Sequence, residues 1–332
     1  MEWYRSNTYL KYRPAWMQLI IFGCLTGGIG LGATLIGSIL VALANHLSFS
    51  QLNITQADLA KPAYAGVMRG LLIVQFFSLF LLPSLVFAML ADRQPLRFAG
   101  LKKPDKARFL WLGILVIVCG YLMVEWLGML NEEFVRQLMG KSAQQWIEKG
   151  ESDVGGTLQN ILSLNSIGQL LKSIFFVGVL AAIGEELFFR GILQRILIQL
   201  FRRPWLGILI TAAIFSAVHG QFLGFLPRMV LGILLGYLYW YSGSIYTSMI
   251  AHLVFNGIQV LLLYFRVLDF NNSSGGGGPL FSIIGLVALA CVAALMYYMS
   301  RLSRTQWAEV YPARPKVLGE FPGGPPAERP SQ

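Results

Sequence analysis

Two adjacent glutamates and an arginine lie in an otherwise apolar stretch of the chain, IGEELFFRGILQ, at residues 183–194. A buried carboxylate is unfavourable unless it is paired. Glu186 and Arg190 are four residues apart, a spacing that brings two side chains together on one helix face. Glu185 points about 100° away from that face and lacks the partner. We interpret Glu186 and Arg190 as a structural pair and Glu185 as the reactive carboxylate. The alternative is one ion network of all three residues that only locks helices together.

Two further polar clusters follow in apolar runs. The first is FSAVHG, which contains Phe215 and His219, and the second is AHLVFNG, which contains His252 and Asn256. His252 and Asn256 are again four residues apart, so both side chains project from one helix face. Ionisable residues in membrane helices usually face the bundle interior and mark function. Together with the glutamates, these residues indicate a site rather than packing alone.

The residue types at this site favour hydrolysis by activated water. No serine or cysteine lies in a convincing nucleophile setting beside a histidine. A carboxylate with histidines suits activation of water, by direct proton removal or on a metal ion. His252 and Asn256 can donate hydrogen bonds to a developing oxyanion. This chemistry corresponds to cleavage of an amide without a covalent enzyme intermediate, in apolar surroundings that exclude bulk water.

The composition is that of a membrane protein. The chain has 332 residues, of which 55% are hydrophobic and only 13% charged, whereas a soluble protein carries about a quarter charged residues. The net charge is +10, but the basic residues lie between apolar runs instead of forming one face or arm. That distribution is typical of membrane topology and argues against nucleic acid as a partner.

The apolar runs predict an all-α, polytopic transmembrane helix bundle with about eight spans in the lipid bilayer. The fourth run could also continue as one helix through Leu200, which would place the glutamates at mid-membrane instead of near its rim. The predicted spans are Ala15–Ala44, Gly66–Leu90, Phe109–Leu130, Ile167–Ile183, Trp205–His219, Phe222–Tyr241, Thr247–Phe265 and Leu280–Ser300.

The charges of the loops predict the orientation of these spans. Basic residues precede the first span, follow the second and the glutamate-bearing stretch, and follow the last: Arg5, Lys11, Arg13, Arg93, Arg97, Lys102, Lys103, Lys106, Arg108, Arg195, Arg202, Arg203, Arg301 and Arg304. The loop at residues 131–166 is instead acidic, with Glu132, Glu133, Glu148, Glu151 and Asp153. The positive-inside rule therefore predicts a multi-pass protein of the cell membrane with both termini in the cytoplasm. An even number of spans agrees with that prediction.

The chain divides into five segments on this interpretation. Residues 1–14 form a cytoplasmic N-terminus, residues 15–166 the first three transmembrane helices with their loops, and residues 167–266 the core that carries the polar clusters. Residues 267–302 contain a glycine-rich loop, NNSSGGGGP, and the last transmembrane helix. Residues 303–332 are rich in proline, glycine and charge, a composition typical of a disordered tail.

Three motifs taken in order, EELFFR, FSAVH and HLVFN, resemble those of the CAAX prenyl endopeptidase and bacteriocin-processing family, also called the Abi family. The stretch between the second and third motifs is similar as well, so the resemblance covers about residues 167–259. It implies an all-helical intramembrane protease whose cavity opens to the cytoplasm. It also implies a peptide or protein substrate, which in prenyl-processing members is lipidated.

The resemblance assigns roles to individual residues. Glu185 resembles the water-activating glutamate, with Glu186 as its neighbour and Arg190 as the arginine of the motif. His219 resembles the histidine that shares water activation, and His252 with Asn256 resembles the pair that stabilises the oxyanion.

Metal dependence has two possible answers. The family is commonly labelled a metalloprotease, yet its best-understood prenyl-processing members are thought to use glutamate without a catalytic metal. In this chain Glu185, His219 and His252 could form a three-ligand zinc site with an open position, but no HExxH motif is present. We favour the mechanism without a metal cofactor.

Two other classes of protein are also compatible with these residues. A proton-coupled transporter places glutamate and histidine in the membrane too, but it usually has repeated halves or paired broken helices, and neither is evident here. A catalytically silent scaffold, such as a bacteriocin-immunity protein, could retain the motifs for assembly.

Overall fold

The structure is a computed structural model that describes residues 10–47, 61–140, 144–151 except 146 and 148, 166–265 and 279–304. The described residues are helical and contain no strand, which confirms the predicted all-α class. The long helices are α1 (Ala15–Ala44), α2 (Ala65–Ala91), α3 (Arg108–Leu138), α4 (Ile167–Phe201), α5 (Pro204–Ala217), α6 (Phe225–Ser242), α7 (Ile245–Tyr264) and α8 (Pro279–Leu302). The predicted glycine-rich loop at 271–278 and the Pro-rich tail lie outside the described residues.

Only part of the predicted span count is supported. Among the described residues, six helices are long and apolar enough to cross a membrane: α1, α2, α3, α4, α7 and α8. Helix α5 has 14 residues, about 21 Å at 1.5 Å per residue, which is shorter than a hydrocarbon core of about 30 Å. Helix α6 has 18 residues but carries Arg228 and is not among the six. Because α5 and α6 are consecutive, counting both or neither leaves an even number of crossings.

Helix α4 is one continuous helix, not a span that ends at Ile183. It runs for 35 residues, from Ile167 to Phe201, through the whole glutamate motif. Glu185 is 18 residues from the start of α4 and 16 from its end. The sequence allowed the glutamates to lie near the end of a shorter span or in the middle of one long helix. In the structure they lie near the middle of the long helix.

Helix α4 is wound more loosely on both sides of the glutamates. Residues Ile174–Leu180 and Leu187–Gln194 form π-helical turns, whereas Ala181–Glu186 is α-helical. Such turns insert extra residues into a helix and are frequent at functional sites, because they change the direction of neighbouring side chains. Helix α2 has a π-helical turn of its own, Phe76–Leu81. This turn of α2 packs so closely against α4 that a Cβ at Gly184 would lie 2.9 Å from the Phe76 ring.

The buried apolar side chains form two main clusters that share α7. One cluster joins α1, α2, α4 and α5 with the start of α7, where Met249 lies. The other joins α3, α6 and α8 with the middle of α7, where Ala251 and Phe255 lie. His252 therefore lies on the helix that contributes to both clusters, where the two clusters meet.

Both described ends of the chain lie at the same end of the bundle. Lys11, just before α1, pairs with Asp92, just after α2. Lys106, just before α3, donates a hydrogen bond to the carbonyl of Leu302 at the end of α8. This arrangement agrees with an even number of crossings, and the assignment of that end to the cytoplasm stays a prediction.

Candidate functional site

Glu186 and Arg190 form a fully buried ion pair in the centre of the bundle. Nη1 of Arg190 lies 2.7 Å from Oε1 of Glu186, and neither side chain has any exposed surface. The guanidinium also donates a 3.2 Å hydrogen bond to the carbonyl of Gly232 on α6 and stacks on the ring of Phe215 on α5. The contact expected from their spacing is present, and it connects α4 to two other helices.

His252 lies between the two glutamates. Its Nδ1 is 3.0 Å from Oε1 of Glu186, and its Nε2 is 4.0 Å from Oε2 of Glu185. An ionised carboxylate can only accept hydrogen bonds. Nδ1 of His252 therefore carries the ring proton and donates this hydrogen bond to Glu186. Nε2 is then the ring nitrogen on the side of Glu185. Glu186 thus anchors both an arginine from its own helix and a histidine from α7.

Glu185 is the less engaged of the two carboxylates. Its side chain keeps 13% of its surface exposed, whereas that of Glu186 has none. Oε2 of Glu185 is buried, and no described residue donates a hydrogen bond to it. A carboxylate oxygen in this state is available to a water molecule or a substrate group. The geometry agrees with the different parts that the sequence suggested for the two glutamates, and the roles themselves stay predictions.

His219 follows α5 and contacts the same aromatic ring as His252. Its Nδ1 donates a 2.7 Å hydrogen bond to the carbonyl of Phe215, which leaves Nε2 as the acceptor of the neutral ring. The Phe215 ring centroid is 5.1 Å from that of His219 and 6.0 Å from that of His252. The Phe215 ring therefore packs edge-on against both histidine rings.

Asn256 is one helical turn beyond His252 but has a partner of its own. Its Nδ2 donates a 2.9 Å hydrogen bond to the carbonyl of Val177, in the first π-helical turn of α4. An amide nitrogen carries two N–H groups, so a second donor remains for another acceptor. Asn256 joins α7 to α4, and its predicted role at an oxyanion would rest on that second N–H.

Arg228 on α6 was not predicted as a site residue. Its Nη2 donates a 2.6 Å hydrogen bond to Gln221, which in turn donates to Glu151 at 3.0 Å. The guanidinium is close enough to Glu185 for their charges to interact, and its Nη1 is buried without a hydrogen-bond partner among the described residues. An arginine in an apolar helix was a usable signal, because such residues tend to face the bundle interior.

Glu151 brings the acidic segment after α3 to the edge of this site. Besides Gln221, it accepts a 3.1 Å hydrogen bond from the backbone N–H of Leu223. Asn131, about two turns before the end of α3, donates to the carbonyl of the same Leu223. The connection between α5 and α6, which follows His219, is therefore held by Glu151 and Asn131.

The candidate zinc ligands do not form a three-residue metal site as they are placed. Glu185 and His252 approach each other, but across the described ranges no group of three His, Cys, Asp or Glu residues could hold a metal ion. One feature does suit a metal site, since a ligating histidine usually gives its other N–H to a carboxylate, as His252 does to Glu186. At most two of the candidate ligands meet among the described residues, which is too few for a zinc site, and the metal-free mechanism stays a prediction.

The family comparison covers the segment that carries these residues. Residues 167–258 match the family model described as Type II CAAX prenyl endopeptidase Rce1-like. The match confirms the resemblance found from the three motifs, and it takes in fewer than a third of the 332 residues. Neither a curated protein nor a solved structure matches the chain.

Proposed function

Starting from an Rce1-like segment that contains every predicted site residue, we propose that this protein is an intramembrane endopeptidase. It hydrolyses a peptide bond of a membrane-associated peptide or protein by water that Glu185 and His219 activate. The family description makes a prenylated C-terminal peptide the first substrate class to consider. The observation that carries the proposal is the buried Oε2 of Glu185, which lies 4.0 Å from Nε2 of His252 and accepts no hydrogen bond from any residue that the structure describes.

The reaction requires one proton to move twice. Glu185 takes a proton from water while the water oxygen bonds to the carbonyl carbon of the substrate. The protonated Glu185 then gives that proton to the amide nitrogen as the carbon–nitrogen bond breaks, which leaves a new carboxyl terminus and a new amine. Nε2 of His219 is an acceptor that can share the first transfer, because Nδ1 is held by Phe215.

The second requirement is stabilisation of the negative charge on the carbonyl oxygen. Preorganised donors in a site without bulk water are effective at this task, since they need not reorient during the reaction. We assign it to the remaining N–H of Asn256 and to His252, which donates from Nε2 only in its imidazolium form, because its Nδ1–H is held by Glu186. Glu186 and Arg190 hold His252 in place, so their contribution is to position a catalytic group.

The test of this function is a comparison of membranes from cells with the active protein and with its Glu185→Gln variant. An endopeptidase predicts at least one membrane protein with a new C-terminus that appears only with the active protein. A transporter or a silent scaffold predicts identical C-termini in both samples. That second outcome, with both proteins present at equal levels, would refute the proposal.

Removal of metal distinguishes the two mechanisms. We expect the purified enzyme to keep its full activity after extended chelation, because no step of the proposed reaction uses a metal ion. Asn256→Ala should lower kcat about 10²–10³-fold, the usual effect of losing one oxyanion donor. Gln194→Ala is the control, since Gln194 also donates its amide to a backbone carbonyl of another helix, that of Gly236 on α6 at 3.1 Å, but lies nine residues beyond Glu185 on α4 and outside the site.

A zinc enzyme would respond differently to chelation and to these substitutions. His252→Ala would then remove a ligand and nearly all activity, while Asn256→Ala would have the smaller effect. Stoichiometric zinc that is lost in step with activity would overturn the metal-free mechanism and leave the endopeptidase proposal standing.

A further inference from the structure

The two arginines of the site differ in their pairing. Arg190 forms a direct ion pair with Glu186. Arg228 is half-buried, and its Nη2 donates to the neutral amide oxygen of Gln221. No carboxylate of the described residues lies within salt-bridge distance of Arg228, and its buried Nη1 donates to none of them. A cation that is withdrawn from water is unfavourable unless it is paired, so Arg228 is suited to an anion from outside the chain.

Arg228 lies at the level of the glutamates along the bundle. Two side-chain hydrogen bonds join α4 to α6, from Arg190 to the carbonyl of Gly232 and from Gln194 to that of Gly236, and each spans 42 positions. Because the offset is constant, the two helices run parallel at this contact. One turn earlier, the same offset brings Arg228 to the level of position 186.

The charge of Arg228 acts on both residues proposed to activate water. It interacts with the charge of Glu185 and with that of His219 when the imidazole is protonated. A peptide whose scissile bond meets these two residues therefore also brings its neighbouring groups close to Arg228.

Two contacts hold the guanidinium in this position. Gln221, which accepts from Nη2, donates its own amide to Glu151 at 3.0 Å. Glu151 also interacts with the charge of Arg228, but it is bound to Gln221 and lies outside salt-bridge distance. The guanidinium further lies close to Gly224, where an added Cβ would be 3.0 Å from Nη2. A donor that is already held in place loses less freedom when it binds a ligand.

We propose that Arg228 binds a carboxylate of the substrate, either its C-terminal carboxylate or an acidic side chain near the scissile bond. This inference rests on the proposed endopeptidase function and adds to it a requirement for negative charge at one position of the substrate. A planar guanidinium matches the two oxygens of a carboxylate, and a hydrogen bond between two charged groups is stronger than a neutral one. The contact fixes which peptide bond lies beside Glu185. Arg228 therefore determines specificity and takes no part in proton transfer.

Binding of three peptides to a protein that does not cleave them tests the proposal. The peptides are farnesylated at the same cysteine, carry the same fluorophore, and end in a free carboxylate, a neutral amide, or an amide that follows an aspartate. They are titrated onto the purified Glu185→Gln protein in detergent, and fluorescence anisotropy gives each Kd. We expect at least one of the two acidic peptides to bind about 10–100-fold more tightly than the neutral one, the usual effect of a hydrogen bond to a charged group.

Substitution of Arg228 in the same Glu185→Gln protein attributes the preference to this residue. Arg228→Gln should bind all three peptides with the affinity of the neutral one. Arg228→Lys keeps the charge without the planar guanidinium and should retain part of the preference. Arg203→Gln is the matched control, an exposed arginine just before α5 and outside the site, and should change none of the affinities. Thermal unfolding in detergent shows that each variant is folded.

The outcomes identify the carboxylate. A preference for the free carboxylate alone identifies the C-terminus as the ligand, whereas tight binding of the aspartate peptide identifies an acidic side chain. Equal affinities for the three peptides, or a preference that persists in Arg228→Gln, would overturn the proposal.

Cleavage by the protein with Glu185 intact separates this proposal from the proposed function. If it hydrolyses all three peptides at equal rates, the role of Arg228 is wrong and the endopeptidase proposal stands. If the peptides bind with the expected preference but none is cleaved, the anion site at Arg228 stands and the endopeptidase proposal loses its first substrate class.

Discussion

Glu185→Gln should leave a folded protein that cleaves its substrate about 10²–10⁴-fold more slowly, which is the usual contribution of a general base. Glutamine has nearly the shape of glutamate but cannot take a proton from water. Oε2 of Glu185 has no hydrogen-bond donor among the described residues, so the substitution breaks no contact there. The initial rate of cleavage, measured on a protein whose C-terminus depends on the active enzyme, gives the effect on activity. Thermal unfolding in detergent gives the effect on stability.

Glu125→Gln is the matched control for this measurement. Glu125 is a partly buried glutamate of an apolar helix, α3, but it lies outside the candidate site. We expect this variant to keep its rate of cleavage. A Glu185→Gln protein with a rate close to that of the wild type would exclude Glu185 as the base. The family assignment of the segment would be unaffected by that result.

Arg190→Ala should lower the free energy of unfolding by about 3–5 kcal/mol, because it leaves the Glu186 carboxylate charged and buried with one cation fewer. Glu186→Ala should have a similar effect, because it leaves the Arg190 guanidinium charged and buried without its carboxylate partner. The two residues are in direct contact, so the double variant should lose less than the sum of the single variants. Unfolding of purified protein in detergent measures all three changes.

An exposed pair with the same spacing provides the comparison. Arg136 and Glu132 lie four residues apart on α3, with 2.8 Å between Nη2 and Oε1, and their side chains are 46% and 28% exposed. Arg136→Ala should change the free energy of unfolding by about 0–1 kcal/mol, as is usual for a solvated ion pair. If Arg190→Ala unfolds like Arg136→Ala, the buried pair does not hold the bundle together.

Helix geometry explains which contacts of the site were predictable. The pairing of Glu186 with Arg190 depends only on residues four apart on one helix, so their spacing in the sequence is sufficient. The contact of Glu186 with His252 joins residues 66 positions apart. Its formation depends on how α7 packs against α4, which no local pattern contains. The sequence could therefore propose both residues for one site but could not give the atoms that meet.

Length and apolarity predict membrane helices well but do not reveal how they are wound. The predicted and observed helix bounds differ by a few residues in most cases, because an apolar run ends where charges begin. The exceptions are α3, which extends through acidic residues to Leu138, and α4. The π-helical turns of α4 have the same mainly apolar composition as an ordinary membrane helix, so composition gives no sign of them. From the sequence, Glu151 serves only to predict the orientation of the spans. Its contact with Gln221 joins distant parts of the chain, so no local pattern reveals it.

The length of α4 limits which substrates can reach the glutamates. Phe201, at the end of α4, is 16 residues beyond Glu185, which is about 24 Å along a helix that rises 1.5 Å per residue. An extended peptide covers that distance with about seven residues, at about 3.3–3.6 Å each. A protein that enters from this end therefore needs an unfolded stretch of about that length between its scissile bond and its nearest folded domain. For the endopeptidase that we propose, a tightly folded protein with a shorter tail could not reach Glu185 from this end of α4, whatever its sequence.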